Sequence, residues 1–269
     1  MPKFKKSIAV FLIVTVVLGG ISFFVLKDIE FDVLYVKYIF ILLMFLLSAL
    51  IGYIISKGTE NKENQKCLDL IIHGCNPKAF LQKYSGIIKK VSKKSRKNSV
   101  YKATYSLGLI ADGQYEKAVS YLSESILPGK NKKELKVNRV IYNYLCSAYG
   151  NLGDFENGKK YLEHLKNTNQ DIKENKLIPN EFESVIEFYE HFLNNSSLEE
   201  STVYFENYFN TKAFTRYNKV MVKYKLAFLY KEIKNEEKYN ECIDYVERNG
   251  KGLYAAVKAR EIINNSLNI

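Results

Sequence analysis

The stretch IYNYLCSAYGNLGDFENGKKYLEHL, Ile141 to Leu165, decides the fold. Apolar or small residues recur at Tyr142, Leu145 and Tyr149, and again at Phe155, Gly158, Leu162 and Leu165. Steps of three and four within each half set one apolar stripe along each of two helices. Between the halves, Gly153 has the backbone freedom to end the first helix, and Asp154 has the carboxylate to cap the second. So short a turn makes the helices antiparallel, and a lone pair cannot bury its own apolar stripe. Further pairs must stack on it.

Self-similarity supplies them. In ADGQYEKAVSYLSESI (Ala111 to Ile126), Gly113, Tyr115, Ala118 and Leu122 stand forty residues before Gly153, Phe155, Gly158 and Leu162. The helix before that turn carries Tyr105, Ser106 and Leu109 at the matching positions, and LPGKNKKEL reads as an inserted loop. A later copy, MVKYKLAFLYKEIKNEEKYNECIDYV, offers Leu226, Ala227 and Tyr230, then Tyr239, Ile243 and Val246, without the turn glycine. Glu181 to Phe209 is a weaker pair broken at NNSS. Near residue 75, Gly74-Cys75-Asn76 stops one helix and Pro77 sits at the first position of the next. GLYAAVKAREIINNSL closes the chain as a terminal helix.

Tyr142, Leu145, Cys146, Tyr149, Gly153, Asp154, Phe155, Gly158, Leu162 and Leu165 resemble the packing and turn positions of the tetratricopeptide repeat (TPR). Gly158 stands where that family prefers alanine, and the forty-residue spacing exceeds the family's period of about 34. The resemblance implies an all-α fold, a right-handed α-solenoid of about five hairpins and a cap over residues 61–267. An irregular helical bundle with two true repeats is the alternative. In the family, the first helix of each pair lines a concave groove that accepts a peptide or a partner's helix. By position this implies Asn143, Ser147 and Asn151 in the groove, with Tyr224 and Phe228 either beside them or packed in the core. The form of the groove that grips a carboxylate uses lysine and asparagine, and Ser147 departs from it.

Ahead of the repeats lie two uncharged 19-residue runs, Ile8 to Leu26 and Tyr38 to Ser56. Each meets the roughly 18-residue length needed to cross a hydrocarbon core as a helix. A cleaved signal is the rival for the first run, but the run is long for one, no A-x-A-like site follows, and a second span comes next. Lys3, Lys5 and Lys6 precede the first run and Lys57, Lys62 and Lys66 follow the second, whereas the connecting loop holds Asp28, Glu30 and Asp32. The positive-inside bias then places both termini in the cytoplasm of a multi-pass cell-membrane protein. Residues 1–57 are expected as a membrane anchor of two transmembrane helices, and residues 58–269 as a cytoplasmic repeat domain.

The net charge of +11 is local: residues 57–100 hold eleven Lys or Arg against three acids. The densest part, Lys89, Lys90, Lys93, Lys94, Arg96 and Lys97, is a candidate contact for anionic lipid, each basic residue near such a surface contributing about 1 kcal/mol. A solvated helix end is the plain alternative. Nucleic acid is not expected as a partner, because no recognition motif accompanies the run.

Signatures of catalysis are missing. The chain has no P-loop, dinucleotide fingerprint, zinc-protease or serine-hydrolase motif. His73, His164 and His191 fall on separate hairpins, and Cys67, Cys75, Cys146 and Cys242 are scattered without a CxxC pair. Glu199 and Glu200, like Glu236 and Glu237, are neighbours in sequence and so point to different helix faces. No catalytic, metal or cofactor site is expected. The reading is a non-enzymatic membrane-anchored adaptor or scaffold for a protein or peptide, with an auxiliary subunit of a membrane transport or secretion complex as the alternative.

Overall fold

A computed structural model describes residues 62–89, 91, 96–172, 181–193, 197–213 and 215–267, with ten isolated positions between 13 and 58. The chain divides into two compact units, Met1–Lys66 and Cys67–Ile269. In the first, the described positions are helical, and Ile13, Val16, Val17, Leu43, Leu46, Leu47, Leu50 and Ile54 are all exposed. The two apolar runs otherwise lie outside the described residues. Among the described residues, no helix is long and apolar enough to cross a membrane.

The second unit is all-helical among its described residues. It begins with α1 (67–72) and α2 (Pro77–Ile88), then α3 (Arg96–Ala111) and α4 (Tyr115–Ser123). Next come α5 (Lys132–Leu152) with α6 (Phe155–Ile172), and α7 (Glu181–Leu193) with α8 (Leu198–Thr211). α9 (Arg216–Glu232) with α10 (Glu236–Gly250) precede the terminal α11 (Tyr254–Leu267). From α2 onward each helix packs on the next, and α3 also touches α5, α5 touches α7, and α9 touches α11. Contacts to the next helix and the next but one are those of an α-solenoid of stacked hairpins.

The turns explain the spacing. Gly113 and Gly153 both take φ +79, the left-handed conformation that ends a helix, and Lys234 takes φ +58 at the same point of the α9–α10 turn. In all three the next amide reaches back to the last turn: Gln114 to the Leu109 carbonyl (2.8 Å), Asp154 to Tyr149 (3.1 Å) and Asn235 to Tyr230 (2.8 Å). The residue after the left-handed one then begins the second helix. Asp154 Oδ1 accepts from the Asn157 amide, and Asn235 Oδ1 from the Lys238 amide. The α9–α10 pair therefore keeps the turn geometry without the glycine, at the cost of a strained lysine backbone.

Small residues let the helices approach. Cys146 is fully buried, its thiol donating to the Gly158 carbonyl at 3.7 Å, and Leu193 of α7 fills the space beside Gly158, where a Cβ would lie 2.7 Å from its Cδ2. Leu145, Leu165, Leu193 and Leu226 are likewise buried, each such side chain contributing about 1.5–3 kcal/mol. The expected loop after Ile126 is shorter than LPGKNKKEL suggests, because Asn131 caps α5 from the Lys133 and Glu134 amides and Lys132 to Leu135 are helical. Asn138, buried, holds that loop by accepting from the Leu127 amide and donating to the Leu127 carbonyl, both at 2.8 Å.

The stack closes on itself. One apolar cluster contains Cys67, Phe80 and Tyr115 from the first hairpins together with Leu226, Val246, Leu253 and Ala259 from the last. The Gly252 amide donates to the Cys75 carbonyl at 3.1 Å, and the Tyr115 and Tyr254 rings meet edge to face at 5.8 Å. The first and last hairpins of the unit are thus direct neighbours, and the inner faces of the helices look onto a shared space.

Candidate functional site

That shared space is a cavity of about 970 Å³. Its wall is drawn mainly from the first helix of each later pair, with Leu107 of α3, Asn143 and Ser147 of α5, and Phe188 and Phe192 of α7, while Tyr115 of α4, Phe155 of α6 and Tyr208 of α8 add to it from the second. Tyr224 and Phe228 of α9 and Tyr254 of α11 complete the circuit, and Ile72 of α1 adds the first hairpin. All five groove positions named from the sequence, Asn143, Ser147, Asn151, Tyr224 and Phe228, lie on this wall. The terminal helix contributes to the wall through Tyr254 and leaves the cavity open inside.

The polar groups of the wall are few. Asn151 is engaged by its own helix, its Nδ2 donating to the Ser147 carbonyl at 2.7 Å. Ser147 also hydrogen-bonds Tyr189, whose phenol burial pushes well above its ordinary range. Burial likewise raises Tyr144 and Tyr224, each to about 12, so these phenols stay neutral donors at neutral pH. The Asn143 and Asn218 side chains line the cavity without a hydrogen-bond partner among the described residues. Rings dominate the remainder: Tyr224 and Phe228 pack edge to face at 4.9 Å, and Phe228 is 47% exposed.

A cation that sequence reasoning passed over stands in this wall. Lys225 Nζ lies 3.4 Å from the Phe192 carbonyl and 4.8 Å from the centre of the Phe192 ring. Removal from water lowers its pKa below the ordinary lysine value. It makes no ion pair among the described residues, whereas Lys102, Lys166, Lys212 and Lys238 pair with Glu124, Glu163 and Glu190, Glu187, and Glu206. Among the described residues the wall's carboxylate is Glu232, exposed and seven residues along the same helix, about 10 Å away by helical rise. Lys225 shares the helical stripe of Val222 and Leu229, and it stands out there because both of those side chains are buried.

Elsewhere the titratable groups do not converge. His164 stacks on Tyr142 and His191 on Tyr204, on different helix pairs, and His73 is exposed. The four cysteines are buried free thiols, and burial raises Cys75, Cys146 and Cys242 above the usual thiol range, which keeps them protonated. Among the described residues, no group of three or more His, Cys, Asp or Glu could hold a metal ion. Of the basic run, Lys89 is exposed and the Lys97 ammonium lies 5.6 Å from the Tyr101 ring. Lys90, Lys93 and Lys94 lie outside the described residues, as does the side chain of Arg96. No family model, curated protein or solved structure matches the chain.

Proposed function

We propose that this chain is a membrane-anchored, non-enzymatic adaptor whose helical-repeat unit binds a protein or peptide segment at the inner wall of its ring. The observation that carries it is the wall itself, to which every later pair contributes, with amides at Asn143 and Asn218 and an uncovered ring at Phe228. Backbone amides of an inserted segment would pair with those side chains, and its apolar side chains would pack on the rings. The TPR resemblance at Tyr142 to Leu165 supports the same use of the inner face.

Anchorage is proposed from the two uncharged runs, 8–26 and 38–56, whose described apolar side chains are exposed and suited to lipid. The lysines on either side of the pair favour cytoplasmic termini, and Lys89 to Lys97 would then meet anionic headgroups. Tethering raises a partner's local concentration at the bilayer without new chemistry.

The test is crosslinking in cells followed by mass spectrometry, comparing the natural chain with a variant carrying Asn143→Glu, Ser147→Glu and Asn151→Glu. Selective loss of one partner from a variant that keeps its helical circular dichroism is the expected result. Crosslinks that join the apolar runs to an integral membrane protein and survive the substitutions would instead establish an auxiliary subunit of a membrane complex.

A further inference from the structure

We propose that the cavity is a binding site for a small aromatic carboxylate, with the Lys225 ammonium as its counter-ion. Three observations converge on that chemistry. The wall circuit is closed by the Gly252 to Cys75 hydrogen bond and the Tyr115–Tyr254 contact, so the space is bounded on its sides. At about 970 Å³ it lies at the upper end of the range for small-ligand sites, about 300–1,000 Å³. Such a ligand enters without opening the ring.

The second observation is charge. An ammonium has three N–H donors, and among the described residues the acceptor for Lys225 is the Phe192 carbonyl, at the long distance of 3.4 Å. The neighbouring ring supplies a weak attraction that does not replace a counter-ion. Desolvation lowers the pKa of this lysine, and among the described residues no carboxylate offsets it. An anion brought into the cavity would satisfy the remaining donors, and shielding from water strengthens that pairing.

The third is the character of the surface around the charge. Phe188 and Phe192 of α7 stack at 5.9 Å, and Tyr224 and Phe228 of α9 meet at 4.9 Å, with Met221 one turn before Tyr224. These rings present faces and edges to the cavity, the geometry in which another ring packs by offset or edge contact. Asn143 and Asn218 add amide groups to the same wall, where they can hydrogen-bond polar atoms of a ligand away from its carboxylate. The site stands on the cavity alone: a failed search for a polypeptide partner leaves it intact, and its own failure leaves the adaptor reading to be judged by crosslinking.

Equilibrium dialysis of the full-length chain in lipid nanodiscs, against empty nanodiscs, tests it with 1-naphthylacetate and its uncharged analogue 1-naphthylacetamide. The expected result is saturable one-to-one binding of the anion, about tenfold or more tighter than the amide. Lys225→Met should bring the anion down to the level of the amide and leave the amide unchanged, whereas Lys225→Arg should retain the preference. No saturable binding of either compound by the natural chain, equal binding of the two, or a preference that survives Lys225→Met overturns the proposal. Should Lys225→Met lose the amide as well through misfolding, the comparison of the two compounds on the natural chain still decides.

Discussion

Alanine at Gly113 should destabilise the protein far more than alanine at Gly153, although the two glycines share one backbone conformation. Both have φ +79, and a Cβ in the left-handed region costs about 1–2 kcal/mol. Around Gly153 the added methyl meets nothing within 4 Å, so the backbone term is the whole effect there. At Gly113 the same methyl would lie 2.4 Å from Cδ2 and 2.5 Å from Cγ of Tyr254. Those atoms are at the root of the ring, so rotating the ring does not clear them; the first residue of α11 must shift, and overpacking of this kind costs about 1–3 kcal/mol. The totals are about 1–2 kcal/mol for Gly153→Ala and about 2–5 kcal/mol for Gly113→Ala. At about 2–4 °C per kcal/mol for a unit of this size, the extra loss for Gly113→Ala is of the order of 2–12 °C in Tm.

Thermal unfolding of the full-length chain by circular dichroism measures it. A second reading comes from Cys75, which is buried where its carbonyl accepts from Gly252. In Gly113→Ala, maleimide should label Cys75 faster than Cys146, because the closure opens before the central pair does. Equal losses of Tm for the two variants, or the larger loss at Gly153, would refute the closure of the ring through Tyr254.

Lys234→Gly should stabilise by about 1 kcal/mol, seen as a rise in Tm, since Lys234 holds φ +58 on an exposed turn. Asn138→Ala removes both hydrogen bonds to the Leu127 backbone from a buried site and should lower stability by about 1–3 kcal/mol in chemical denaturation. Lys225→Met should raise Tm at pH 7, because it removes a desolvated charge that has no counter-ion among the described residues. The folded-state pKa of Lys225 lies below its unfolded value, so between the two the unfolded chain binds more protons and stability rises with pH. The advantage of Lys225→Met, measured as a difference in Tm from the natural chain, should therefore shrink on going from pH 7 towards pH about 10.4; an advantage that grows would reverse the assigned shift.

How far the chain could be read in advance varied with the range of the interaction. Gly153 and Asp154, Gly74 to Pro77 and Ser197 marked helix ends that the structure has, because caps and turns are settled within four or five residues. The α9–α10 turn was legible through its apolar spacing even though Lys234 replaces the glycine, since packing of Leu226 and Ile243 outweighs one strained backbone. The early start of α5 was missed although Asn131 and Glu134 carry a capping pattern, because lysines on an exposed first turn look like loop.

The candidate site was half legible. The tetratricopeptide resemblance implied Asn143, Ser147 and Asn151 for the groove, with Tyr224 and Phe228 beside them or in the core, and all five line the cavity. Lys225 went unnoticed, because a lysine in a charged helix stands out only once its neighbours Val222 and Leu229 are known to be buried.

By itself, then, the amino-acid sequence determined that the chain after residue 66 is helical, that its helices come in antiparallel pairs, and where most pairs turn. Each of those features is enforced by side chains a few positions apart. Only the tertiary structure decided that the stack bends until Gly252 reaches Cys75, residues separated by almost the whole unit, and so encloses a cavity around Lys225. Closure is the sum of small rotations between successive pairs, and no local pattern records that sum.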